Sequence, residues 1–126
     1  MDREKFEQLV LMTIQALPDE FARRLENITI IVQDWPSTDQ LHRVGLRHSQ
    51  SLLGLYEGVP LTKRGHHYGL VQPDKITIFQ KPIEAKCGQR GTEIAAEIAR
   101  VVKHEIAHHF GISNARLEQI EKGRDK

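Results

Sequence analysis

The sequence predicts an α+β fold in which helices cover a small mixed sheet of three to four strands. Three observations carry that reading. The chain opens with two helical patterns, holds short β-branched runs in its middle, and closes with a long helical stretch that ends at a glycine. Its 126 residues, 39% hydrophobic and 28% charged, suit a core-forming chain organised as a single domain over residues 1–126.

Phe6, Leu9, Val10, Thr13, Ile14 and Leu17 recur at the spacing of one helical face, and Pro18 interrupts them. Asp19 is placed to cap a second, short helix carrying Phe21, Ala22 and Leu25, which Asn27 closes. Ile28 to Gln33 is almost continuously apolar and β-branched, which predicts a central strand buried on both faces. Asp34 to Asp39 is turn chemistry, and the polar, basic stretch Gln40 to Gln50 predicts an irregular connection. Ser51 to Tyr56 reads as a strand in which Gly54 marks a bulge or an edge. A turn comes next at Glu57 to Pro60, then a polar, aromatic loop over Gly65 to Gly69. Lys75 to Gln80 alternates as a strand entered through Pro73-Asp74, whereas Pro82 to Gln89 starts like a helix that Gly88 and Gly91 would interrupt. Thr92 is placed to cap a long helix from about Glu93 to about Phe110, ended by Gly111 in a left-handed conformation. Ser113 or Asn114 can cap a last helix that turns Leu117 and Ile120 inward.

Composition excludes several classes of function. Eighteen basic against seventeen acidic residues leave a net charge of +1, too little for a broad nucleic-acid face. No apolar run approaches the ~20 residues of a membrane span, and the charged start Met1 to Lys5 predicts no secretory signal. The single cysteine, Cys87, fits a reducing compartment, so a cytoplasmic chain without nucleic-acid or membrane partners is expected. Seven histidines against that one cysteine stand out.

Two of them fall in His104-Glu105-Ile106-Ala107-His108, in the middle of the long helical pattern. Histidines at i and i+4 project from one face one turn apart, so both imidazoles can reach a single zinc ion, while the glutamate between them is directed towards water activated by the metal. Glu105 therefore reads as the general base, with His104 and His108 as metal ligands. On a helical wheel Glu105 lies about 20° from Ile98, within the stripe Ile94, Ile98, Val101 and Val102. A carboxylate in an apolar stripe costs free energy unless a nearby group compensates it.

With these residues in view, the chain resembles the small bacterial minimal zincins, a family of zinc metallopeptidases built as one α+β domain. The resemblance rests on Leu17-Pro18, Ile31 to Pro36, Leu53 to Leu61, Pro73 to Phe79 and His104 to Ser113, and so runs almost end to end. It implies a zinc site, peptide-bond hydrolysis and a peptide or protein substrate. It also implies that Gly111 turns the chain back, so that the residue three further on supplies the third ligand. That residue is Asn114, where the family usually has aspartate. An amide oxygen is a neutral and weaker donor than a carboxylate. Asn114 can instead cap the last helix, with Glu118, His66 or His67 as substitute ligands, and a catalytically weakened zincin that binds peptide without cutting it is the alternative reading. A monomer is expected.

Several residues have plainer assignments. His66, His67 and Tyr68 are candidate contacts to substrate or oxyanion. Ser51 to Tyr56, as an edge strand, could pair with an extended peptide. Tyr56 and Trp35 read as core or turn-packing aromatics, and His109, close to Ile98 on the wheel, as a packed histidine facing the core. Cys87 has no metal-ligand spacing around it, and the basic group around Arg43, Arg47 and His48 reads as a solvated loop.

Overall fold

The computed structural model describes residues 1–58 and 74–124. Helix α1 (Arg3–Gln15) is capped by Asp2, whose carboxylate accepts from the Lys5 backbone N–H at 2.8 Å. In α2 (Asp19–Arg24) Pro18 holds the capping position and Asp19 is the first helical residue, so the expected side-chain cap is absent. Three strands come next, β1 (Ile28–Gln33), β2 (Gly54–Glu57) and β3 (Asp74–Phe79), in the spatial order β1-β3-β2. β1 runs parallel to β3, and β2 antiparallel to it.

The central position thus belongs to β3, not to β1. Among the described strands β1 is an edge, with five of its six residues half-buried and Thr29 exposed. Its apolar run packs inward, with Ile28, Ile30 and Val32 against the main core, and an open groove separates these residues from Leu11 and Ile14 of α1. The expected irregular connection over Gln40 to Gln50 is also corrected. It contains α3 (Thr38–Arg43), which starts in a capping box where Ser37 Oγ accepts from Gln40 N–H and Gln40 Oε1 accepts from Ser37 N–H. A single 3₁₀ turn at Ser49–Ser51 then leads into β2.

α4 (Gln80–Cys87) leaves β3 without an intervening residue and stops at Gly88, at φ 73°. α5 (Gly91–Phe110) is preceded by Arg90 rather than capped by Thr92, which lies inside the helix. Gly111 ends it at φ 70°, the left-handed conformation that glycine adopts without strain. α6 (Asn114–Arg124) begins after Ser113, whose hydroxyl accepts from Arg116 N–H at 3.1 Å.

Pleating divides β3 between two clusters. Ile76 and Ile78 join Phe6 and Val10 of α1 and Ile94, Ile98, Val102 and Ile106 of α5. Phe79 belongs to a smaller cluster with Leu41, Leu52 and Leu55. Each fully buried Ile or Phe stabilises the fold by ~1.5–3 kcal/mol relative to exposure, so the sheet-to-α5 layer holds the motif helix in place. No helix among the described residues is long and apolar enough to cross a membrane.

Candidate active site

α5 turns its Ile94, Ile98, Val102 and Ile106 face to the sheet and leaves His104 and His108 exposed. Neither imidazole has a hydrogen-bonding or ionic partner among the described residues, so each keeps a ring nitrogen available to a metal ion. Two neutral nitrogen donors on one helical face are the donor chemistry that zinc takes. Among the described residues no group of three or more His, Cys, Asp or Glu completes a metal cage, and exposed Glu118 of α6 does not supply the third member. The side chain of Asn114 lies outside the described part of the structure, as do residues His66, His67 and Tyr68.

Glu105 is half-buried, and the compensation that its place in the stripe demands comes from the sheet. The Tyr56 backbone N–H donates to Glu105 Oε1 at 2.9 Å. Strand pleating explains why that N–H is available. Phe79 N–H donates to Leu53 O, so the odd-numbered residues of β2 turn their backbone groups to β3. Gly54 and Tyr56 turn theirs to the outer edge, where α5 lies. The carboxylate thus accepts a hydrogen bond otherwise open to water or to an added strand, and Oε2 has no partner among the described residues.

Tyr56 does more than the packing role expected of it. Its ring stacks on His109 at 3.8 Å between centroids and 13° between planes, and its hydroxyl donates to Asp74 Oδ2 at 2.7 Å. His109 is therefore exposed and set against β2, not turned into the core. The wheel angle matched Ile98, but near its C-terminal end the helix has left the apolar layer and meets the strand edge. Phe110 extends the aromatic group edge-on to His109 at 5.0 Å, with the Arg24 guanidinium 5.7 Å from its ring centre. Trp35 is 42% exposed, and its carbonyl accepts from Gln33 Nε2 at 2.8 Å, so it packs no core.

The remaining polar groups lie away from the histidines. Arg43 pairs with Asp39 and Glu57, which makes it a bonded element of the α3–β2 corner rather than a solvated loop cation. Burial, reinforced by the neighbouring Glu97 carboxylate, pushes the Cys87 thiol above its ordinary value, which keeps it protonated and unreactive. A cleft of about 200 Å3 between Ser51–Gly54 and α5 runs past His104 and Glu105 to Arg100. Arg100 carried a sequence signal of its own, lying one turn before His104, whereas nothing in the sequence marked the Tyr56 N–H.

The sequence profile of the zincin-like metallopeptidases matches residues 25–124. No curated protein matches the chain at a significant level. The profile spans the three strands, the β2 edge and the whole of α5, and the chain belongs to the zincin-like metallopeptidase family.

Proposed function

From that membership we propose that the protein is a zinc-dependent peptidase in which His104 and His108 hold the ion and Glu105 is the general base. The observation that carries the reading is the Glu105 carboxylate, set between the two exposed histidines and fixed through Oε1 by the β2 backbone. When bound, zinc supplies Lewis acidity, lowering the pKa of water to about 7 and polarising the scissile carbonyl. Glu105 Oε2 takes a proton from the attacking water and passes it to the leaving amine. The Tyr56 N–H aims the carboxylate, because it fixes Oε1 and leaves Oε2 towards the histidines. Asn114 is the proposed third ligand, through its amide oxygen. An extended peptide lies in the cleft that Ser51 to Gly54 line beside His104 and Glu105.

Comparing the wild type with Glu105→Gln on a diverse peptide library tests this reading. The substitution keeps shape and hydrogen bonding but removes the base, so cleavage should fall by at least about a hundredfold while zinc content is unchanged. Equal rates overturn the mechanism. Zinc retained at about one ion per chain with no cleavage by either protein favours the weakened, peptide-binding alternative that the neutral Asn114 side chain suggests. Chains that take up no zinc overturn both.

A further inference from the structure

The cleft beside Glu105 carries a cation that the proposed chemistry does not use. Arg100 lies one turn before His104 on α5, in the same i, i+4 relation that joins His104 to His108. It lines the cleft together with Gly54, Val101, His104 and Glu105. Arg100 Nε donates to Glu97 Oε1 at 2.7 Å, Nη2 contacts the same oxygen, and so does Lys86 Nζ at 3.1 Å. Two cations thus share one anion, which leaves an unbalanced positive charge at this end of the cleft. Nη1 has no partner among the described residues, and the Arg100 side chain is 53% exposed.

The direction of the strand decides which part of a peptide meets that charge. β2 and α5 run the same way: Gly54 abuts Val101, Tyr56 N–H reaches Glu105, and the Tyr56 ring covers His109. A peptide laid in the cleft antiparallel to β2 enters at the His109 end and leaves at the Arg100 end. A helical turn advances ~5.4 Å and an extended residue ~3.3 Å, so Arg100 faces the first two residues after a bond held over His104 and His108.

We propose that Arg100 is a specificity-determining residue that selects a carboxylate within two residues C-terminal to the scissile bond, carried by an acidic side chain or by the end of the peptide. The proposal rests on the peptidase reading for the placement of that bond. A guanidinium with an open N–H edge is the group best suited to a carboxylate, since it binds through charge and directed hydrogen bonds together.

The test takes a labelled peptide that the zinc-loaded chain cleaves or, failing that, binds, and varies its last two residues as Glu, Gln or Lys, each as amide and as free acid. Two quantities are measured: cleavage rate with the zinc-loaded chain, and affinity by fluorescence anisotropy for zinc-loaded Glu105→Gln. Glu amides should exceed Gln amides by about fivefold in both, the upper range of one screened ion pair. Arg100→Gln should abolish the preference, Arg100→Glu should turn it towards Lys, and Arg100→Lys should retain it. A preference of the same size for free-acid over amidated Gln peptides, lost in Arg100→Gln, assigns the terminal carboxylate; a preference confined to Glu peptides assigns the side chain. Equal affinities across the set, or a preference that survives Arg100→Gln, overturn the proposal whether or not cleavage occurs. Arg100-dependent affinity without cleavage keeps the subsite and overturns the peptidase reading instead.

Discussion

Glu105 illustrates how a single residue is placed by two opposing demands. Its position in the apolar stripe of α5 draws it towards the sheet, and its charge forbids burial without a donor. The Tyr56 N–H meets both demands at 2.9 Å, because strand pleating turns it away from β3. The opposite case occurs inside β3. Thr77 is fully buried, and its Oγ1 has no hydrogen-bond partner among the described residues. A hydroxyl left unpaired in the interior carries its desolvation cost uncompensated. Thr77→Val keeps the branched shape and removes that group, so it should stabilise the fold by about 1 kcal/mol. Urea unfolding checks this through a raised midpoint at unchanged slope; a lowered midpoint would mean that the hydroxyl is satisfied in solution.

At the scale of elements, the contact between β2 and α5 is the one that matters for the site, and Gly54 sets its closeness. A Cβ at residue 54 would overlap Val101 Cγ1, a branched side chain on a helix backbone with little room to yield. Gly54→Ala should therefore lift β2 off the helix and destabilise the protein by about 1–3 kcal/mol. Because the same movement draws the Tyr56 N–H from Glu105, cleavage should fall at temperatures where the variant is still folded. Full activity in a folded Gly54→Ala chain would show that the strand does not position the base. How legible these elements were in the sequence depends on what defines each. α5 was readable almost to the residue, since Ile94, Ile98, Val102 and Ile106 repeat at helical spacing and Gly111 stops them. β1 was readable as a strand but not as an edge: an apolar run reports burial, and here Ile28, Ile30 and Val32 are covered by the main core, whose assembly no local pattern reveals. α3 carried its signal in Ser37 and Gln40, a capping box outweighed by the polar character of the stretch up to Gln50. Of the site, the His104-Glu105-His108 spacing was legible because it is local. The Tyr56 contact was not, because it is a backbone group brought in from 49 residues away.

Across the whole molecule, the helices are tied to the sheet and to each other by ion pairs as well as by the core, and this gives stability a definite dependence on pH. Arg3 of α1 donates to Asp34 Oδ1 at 2.6 Å, to the Val32 carbonyl and to Gln80, so one guanidinium joins α1 to the ends of β1 and β3. That hydrogen bond holds the Asp34 carboxyl below its ordinary value of 3.8; burial opposes it, and the charges of Arg3 and Lys81 lower it further. Glu97 joins α4 to α5. Burial acts most strongly on it and in the raising direction, but the hydrogen bonds and charges of Arg100 and Lys86 together outweigh burial and hold it below 4.5. The Cys87 thiol also feels the Glu97 charge. Both carboxyls are depressed in the folded state. Their stabilisation is therefore complete above the unfolded values and is lost as pH falls through the folded ones. The urea midpoint should accordingly hold steady from pH 7 to about 5 and decline below about 4.5 as these two bridges are protonated. Glu97→Gln removes one titrating bridge, so its midpoint should be lower than that of the wild type at pH 7 and should fall less steeply in acid. Parallel curves for the two proteins below pH 4.5 would show that the α4–α5 bridge contributes nothing to acid unfolding. Loss of the difference in 1 M salt would place the bridge among the screened surface pairs.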